Sequence, residues 1–133
     1  MLAHIAIAVA SLSQSGAVYS ALGFACEPVE VVEREHVRVQ KWSKEGLCLE
    51  LIEPYPTGMG NVAKFLAKRG AGLHHVALTS PDLNSDLQRL SAAGISSLPG
   101  YPAPGSSGSN VCFLDPRTTG GVLIELVETV SKS

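Results

Sequence analysis

The chain is short of charge and of aromatic rings: 17% of its residues are charged, 5% are aromatic, and the net charge is −2. A basic stripe interleaved with rings, the footprint of a nucleic-acid surface, is therefore excluded. Low charge does not mean disorder here, because 45% of the residues are hydrophobic. Long apolar runs are missing too. The longest, residues 5–10, falls far below the about 20 residues that span a bilayer. No basic start with a long apolar core opens the sequence, because His4 interrupts it, so the expectation is a cytoplasmic protein without a membrane partner. Cysteine is scarce. Cys26, Cys48 and Cys112 are odd in number and show no CxxC spacing, which fits reduced thiols and excludes a disulfide framework. At 133 residues the chain is long enough for one domain with its own core.

What is present falls into two copies of one pattern. Residues 72–80, GLHHVALTS, alternate with the period of two that sends successive strand side chains to opposite faces. His75, Ala77 and Thr79 share one face, and His74, Val76 and Leu78 share the other. The first face is lined by small residues and carries an imidazole, which suits a cavity wall. The second is apolar and suits packing under a helix. His4-Ile5-Ala6-Ile7-Ala8 has the same design 71 residues earlier (75 − 4), and the offset holds from Leu12 with Leu83 to Gly23 with Gly94. A second stretch repeats at 75 residues (125 − 50): 46–53 reads GLCLELIE and 121–128 reads GVLIELVE. Two copies of one strand–helix–strands unit are the economical reading.

In chain order, residues 2–10 read as a strand. A helix follows, capped by Ser11 or Ser13, striped by Val18, Ala21 and Leu22, and ended by Gly23. β-Branched residues between 24 and 42 predict extended chain with a turn at 34–36, and 47–53 reads as a strand. After a loop of Pro54, Pro56, Gly58 and Gly60, Asn61 is expected to cap a linking helix that ends at Gly70. In the second copy Asp82 caps a helix ended by Gly94, and 95–98 reads as a short strand. Residues 99–110 form a Gly-, Pro- and Ser-rich loop of the kind that covers ligands, and 111–114 and 122–129 read as strands. The expected class is α+β: two tandem βαβββ modules, at about residues 1–56 and 72–133 with a linker helix at about 61–70, forming one cupped sheet in a single domain.

The chemistry follows from the faces. Glu50 shares a face with Cys48 and Ile52, and Glu125 sits between Leu123 and Val127. A carboxylate with apolar neighbours on a strand is costly to bury unless it is paired or bound to a cation. Either histidine or either glutamate alone reads most simply as a core, edge or solvent residue. Matched placement of all four in two repeats reverses that reading, because chance does not match polar residues across copies. His4, Glu50, His75 and Glu125 offer two imidazoles and two carboxylates, a fitting set for one divalent metal ion. The cysteines read as packing groups and His36 as a turn residue. Lys64, Lys68 and Arg69 read first as a solvated helix face, with a phosphate contact as the minority reading.

Four segments carry a resemblance: HIAIAV, LELIEP, VAKFLAKRGAGLHHVAL and FLDPRTTGGVLIELVE. On them the chain resembles the vicinal oxygen chelate superfamily (the glyoxalase, bleomycin resistance and dioxygenase group) and, within it, the methylmalonyl-CoA epimerases. The resemblance implies the glyoxalase-like fold with a metal-centred sheet. It implies one divalent ion per chain (Co, Mn, Zn or Ni) held by His4, Glu50, His75 and Glu125, an acyl-CoA partner and a homodimer. The implied reaction interconverts (R)- and (S)-methylmalonyl-CoA by proton abstraction at C2 through a metal-stabilised enolate. Glu125 is expected to be both ligand and acid–base group, Glu35 a second acid–base group, and Glu50 a ligand only. Val39 stands where some epimerases carry a glutamate proposed as the base, so that position cannot supply one. Asp115 in FLDP and the GSSGS of 105–109 also depart from the family pattern, in a region expected to face substrate. Rival readings on the same fold are glyoxalase I, acting on a glutathione hemithioacetal, and a non-enzymatic small-molecule-binding module. A third, an extradiol dioxygenase, has no need of Glu50.

Overall fold

In the computed structural model, which describes residues 1–129, the alternation of HIAIA becomes strand β1, Leu2–Ala8, with His4, Ala6 and Ala8 buried on one face. Two units follow from the contacts: His4–His74, and Met1–Ala3 together with the chain from His75 onward.

The unit His4–His74 continues with helix α1, Leu12–Ala21, and the short strands β2, Ala25–Cys26, and β3, Glu30–Val32. Strand β4, Val37–Lys44, strand β5, Leu47–Pro54, and helix α2, Gly60–Arg69, complete it. β4 and β5 form an antiparallel hairpin along their whole length, from Val37 opposite Pro54 to Lys44 opposite Leu47. β2 and β3 both lie on the other edge of β4, as one interrupted strand. β1 runs parallel to β5 with Ala6 opposite Glu50. The expected turn at 34–36 is a 3₁₀ turn, Glu33–Glu35, closed by His36 in the left-handed region.

The other unit holds strand β6, Gly72–Ser80 (its first three residues belong to the unit His4–His74), helix α3, Leu83–Ala92, and strand β7, Ala103–Pro104. Strands β8, Asn110–Phe113, and β9, Ile124–Glu128, follow. β6 runs parallel to β9 with Ala77 opposite Glu125, and β8 is antiparallel to both β9 and β7. The two registers are repeat-equivalent: Ala6 and Ala77 differ by 71 residues, Glu50 and Glu125 by 75. Each copy is βαβββ, counting the interrupted β2–β3 as one strand.

The caps repeat as well. Ser11 Oγ accepts from Gln14 N at 3.2 Å and Asp82 Oδ1 from Ser85 N at 3.1 Å, each capping the first turn of its helix. Below each cap, the first helical N–H donates to a strand glutamate: Leu12 N to Glu53 Oε2 at 2.7 Å, and Leu83 N to Glu128 Oε2 at 2.9 Å. A carboxylate there satisfies an orphan N–H and complements the positive end of the helix dipole.

Several expectations need correction. The stripe of α1 is not Val18, Ala21 and Leu22; Val18 and Leu22 are each 55% exposed. The buried face is Leu12, Gly16 and, in part, Tyr19, packed on Trp42, Leu51 and Val9. Trp42 is the reason. It occupies the space beside Gly16, and a Cβ built there would stand 2.8 Å from Trp42 Cζ2. Asn61 does not cap α2, which starts one residue earlier with Met59 in the cap position and no side-chain cap bond. Residues 95–98 make one isolated bridge, Ser97 with Leu114, and no strand, since Ser96 and Ser97 have weak strand preference and Gly94 and Pro99 bracket them. The last strand begins at Ile124 rather than 122. The loop 99–110 contains β7, held against β8 through Ala103 and Val111.

α2 packs Val62, Phe65 and Leu66 onto Ala6, Ala8, Val39 and Ile52, and α3 packs onto Cys112, Leu114 and Leu126. The three cysteines are free thiols. Among the described residues no helix is long and apolar enough to cross a membrane.

The Gly16–Trp42 contact makes a test. Gly16→Ala is expected to destabilise the fold by about 1 kcal/mol, whereas the same change in an exposed helix stabilises it by about 1 kcal/mol. A chemical denaturation midpoint that rose in Gly16→Ala would show that Trp42 yields, and the packing argument would fail.

Candidate functional site

The strand registers lay out one sheet face of the unit His4–His74 as rows. Residues opposite each other across a ladder share a face. One row is therefore Lys41 on β4, Glu50 on β5 and Ala6 on β1, with His4 two residues before Ala6 on the same face. The next row is Glu30, Val39, Ile52 and Ala8. α2 covers this second row with Val62, Phe65 and Leu66. His4 and Glu50 are 7% and 5% exposed, and His4 Nδ1 stands 3.7 Å from Glu50 Oε2. That is ion-pair range but longer than a hydrogen bond.

The second pair is built the same way in its own unit. His75 precedes Ala77 by two residues on β6, and Ala77 lies opposite Glu125 on β9. His75 Nε2 and Glu125 Oε1 are 3.2 Å apart, both residues buried. The row ends differently: where Lys41 faces Glu50, Phe113 faces Glu125. Phe113 meets the His75 ring edge-on at 5.0 Å, and Tyr101 meets Phe113 at 5.2 Å. Such edge contacts fix ring orientation. Each pair can offer a metal ion one imidazole nitrogen and one carboxylate oxygen.

His74 takes the opposite face from His75 and packs its ring against Phe65 at 4.9 Å, as its apolar neighbours predict. Cys48 shares the face of Glu50. Burial pushes its thiol pKa up, Glu50's carboxylate adds to the rise, and Lys41 opposes it. Cys112 is raised by burial. Both favour thiol over thiolate, which fits packing groups rather than ligands.

Glu35 is not brought to this row. Its turn precedes Val37, and Val37 lies four residues, about 13 Å of strand, from Lys41. A glutamate side chain does not span that distance, so the role expected of Glu35 lacks geometric support. Val39 is buried in the apolar cluster under α2. Lys41 was not singled out from the sequence, although its spacing of two from Val39 was the available signal. A cavity of about 220 Å³ lies between the ends of β1 and β5 and α2, lined by Glu53, Pro54, Thr57, Ala63 and Leu66 among others. Its one carboxylate, Glu53, is already engaged by Leu12 N and Arg38.

Asp115 caps the 3₁₀ turn Pro116–Thr118 by accepting from Arg117 N at 3.0 Å. Its other oxygen accepts from Arg117 Nη2 at 2.7 Å. The Arg117 side chain, and then its backbone N–H, hold the Asp115 carboxyl below the usual carboxylate range. In residues 105–109, Gly105 N donates to Ser109 O at 2.8 Å, closing the loop on itself.

Residues 3–113 match the family model described as Glyoxalase/Bleomycin resistance protein/Dioxygenase superfamily. The uncharacterized protein YqjC of Bacillus subtilis is 40% identical over 94% of this chain and 89% of its own length. An ethylmalonyl-CoA/methylmalonyl-CoA epimerase of Cereibacter sphaeroides is 34% identical over 92% of this chain and 93% of its own. Among solved structures, a variant methylmalonyl-CoA epimerase of Streptomyces coelicolor in complex with 2-nitronate-propionyl-CoA is 33% identical. It superposes with a TM-score of 0.89 over 98% of this chain and 95% of that one. The α+β fold expected from the two βαβββ copies is the fold of these structures.

The Asp115 network carries a pH signature. A carboxyl whose folded pKa is depressed contributes stability above its unfolded pKa, about 3.9, and loses that contribution as pH falls through the folded value. Asp115→Asn is therefore expected to be less stable than the parent at pH 7, with the gap closing as pH falls below about 4. Urea unfolding across that range checks it; a gap independent of pH would assign the effect to turn geometry instead of charge.

Proposed function

We propose that this chain, which belongs to the glyoxalase/bleomycin resistance protein/dioxygenase superfamily, is an epimerase that interconverts (R)- and (S)-methylmalonyl-CoA. The observation that carries the reading is the pair of buried His/Glu couples, His4 with Glu50 and His75 with Glu125, in repeat-equivalent registers. The epimerases among the relatives support an acyl-CoA substrate class.

In this reading the two copies and α2 act as one domain, and His4, Glu50, His75 and Glu125 would together hold one divalent ion. The donor set fits: two imidazoles and two carboxylates, buried where an uncompensated charge would be costly. When bound, the ion supplies a Lewis acid for negative charge on the thioester oxygen. The protein's own groups do the rest. Glu125 takes the C2 proton as the C–H electron pair moves into the enolate, a proton from solvent water is delivered to the opposite face to give the other epimer, and Glu125 returns its own proton to solvent. Glu50 stays a ligand. Lys41, across the ladder from Glu50, brings positive charge to the face that receives the substrate's free carboxylate. Phe113 and Tyr101 orient His75 and keep that wall apolar. A homodimer is the assembly we propose.

Exchange of the C2 proton of methylmalonyl-CoA in heavy water tests the reading. Wild-type protein is expected to exchange it. Glu125→Gln is expected to keep some metal, through the amide oxygen, and to lose most exchange, about 100-fold or more, because an amide is no base near neutral pH. Glu50→Gln is expected to be milder. Full metal without exchange, combined with isomerisation of the methylglyoxal–glutathione adduct, would move the assignment to glyoxalase I. Separately, His75→Ala is expected to abolish stoichiometric metal binding while His74→Ala keeps it, read by elemental analysis of purified protein; equal metal in wild type and His75→Ala would refute the ligand set.

A further inference from the structure

Helix α2 has no counterpart in the repeat, and its charges are unlike those of the other helices. α1 carries no charged residue, and in α3 Arg89 is paired with Asp86. α2 carries Lys64, Lys68 and Arg69 and no acid. Nine lysines and arginines lie among the described residues. Arg38 pairs with Glu53, Arg117 with Asp115, and Lys44 Nζ donates to Leu22 O at 2.9 Å. Arg34 and Lys41 are engaged as well. Arg69 lies over the Phe65 ring at 5.8 Å. Lys64 and Lys68 form no ion pair with any described residue, and both are exposed.

Helix stability does not account for the stripe. Basic side chains in a last turn are favoured by the dipole, which covers Lys68 and Arg69. Lys64 sits mid-helix, and like charges four residues apart repel. General basicity does not account for it either, since the net charge is −2. The position is informative. α2 lays Phe65 and Leu66 on the cluster that contains Ala8, Val39 and Ile52, one row, about 7 Å of strand, from the row of Glu50. Helix α2 and the His4–Glu50 pair therefore lie on one face of the sheet in neighbouring rows, with Lys64 and Lys68 exposed on the helix.

We propose that Lys64 and Lys68, with Arg69 beside them, form the docking site for the phosphate groups of the acyl-CoA substrate. This rests on the proposed epimerase reading. The ligand class follows from the chemistry: two to three exposed cations match a few phosphate charges, and a CoA thioester carries its phosphates at the end of a long pantetheine arm, away from the reacting carbon. An extended polyanion such as nucleic acid would need a wider stripe and stacking rings, which the surface lacks. Lysine binds phosphate as a point charge, so the contact is dominated by screened electrostatics and falls with salt.

The test compares two substrates of the wild-type protein and of the double variant Lys64→Glu/Lys68→Glu, whose changes lie on an exposed helix face. One substrate is methylmalonyl-CoA; the other is the methylmalonyl thioester of pantetheine, which has no phosphate. The variant is expected to raise KM for the CoA ester about tenfold relative to any change in KM for the pantetheine ester, with kcat for the CoA ester retained. The wild-type KM for the CoA ester is expected to climb with ionic strength, and that climb to flatten in the variant. Equal shifts for both esters, or none, would overturn the proposal. Calorimetric titration with free CoA and with pantetheine gives a second arm that needs no turnover. Wild type that prefers CoA, with the preference lost in the variant, supports the site even if no malonyl thioester is turned over, in which case only the reaction assignment fails.

Discussion

Two carboxylates in the middle of apolar strands set the terms for everything else. Glu50 and Glu125 are buried at 5% and 6% exposure, and a charge so placed must be matched by hydrogen bonds, an opposite charge or a cation. In each copy the answer is the same. A parallel strand is brought alongside in the register that sets an alanine opposite the glutamate and a histidine two residues earlier. Parallel pairing needs a crossover, and in each copy that crossover contains a helix and an antiparallel hairpin. The small residues serve the same end: a larger side chain at Ala6 or Ala77, both fully buried, would fill the space that the imidazole and carboxylate need.

One pair of strand glutamates in each copy does double duty. In LELIE and IELVE the two glutamates are three apart, an odd number, so a strand sends them to opposite faces. The first goes to the histidine. The second goes to the helix side and accepts the first helical N–H, Glu53 from Leu12 and Glu128 from Leu83. The strand that carries the candidate ligand thereby anchors the helix on its reverse. Loss of either Glu53 or Glu128 would loosen the attachment of a helix to the strand that aims a ligand.

These features were legible in the sequence because they are periodic and duplicated. The period of two set the faces, and the offsets of 71 and 75 marked positions that the ladders then placed in equivalent registers. What escaped the reading depends on neighbours distant in sequence. The face of α1 was misassigned because its most buried positions are Leu12 and a glycine; only the ring of Trp42, on a strand far along the chain, makes Gly16 a core position. Glu35 looked usable because a turn leaves register open. The ladder from Val37 to Lys41 then set that turn at the far end of β4 from Glu50.

The two copies agree in their His/Glu pairs and differ in what faces them, and that difference bears on how two like carboxylates could divide the work. Across its ladder Glu50 meets Lys41, while Glu125 meets Phe113. A cationic neighbour adds an attraction for anions that an aromatic neighbour lacks. The same contrast orders a substrate, since a cationic wall attracts a free carboxylate and an apolar wall accepts a methyl group. A duplicated fold thus supplies repeat-equivalent His/Glu pairs, and the difference at the facing strand supplies the asymmetry that the proposed proton transfer requires. The contrast between Lys41 and Phe113 fits the division proposed above, with acid–base work for Glu125 and a ligand role for Glu50.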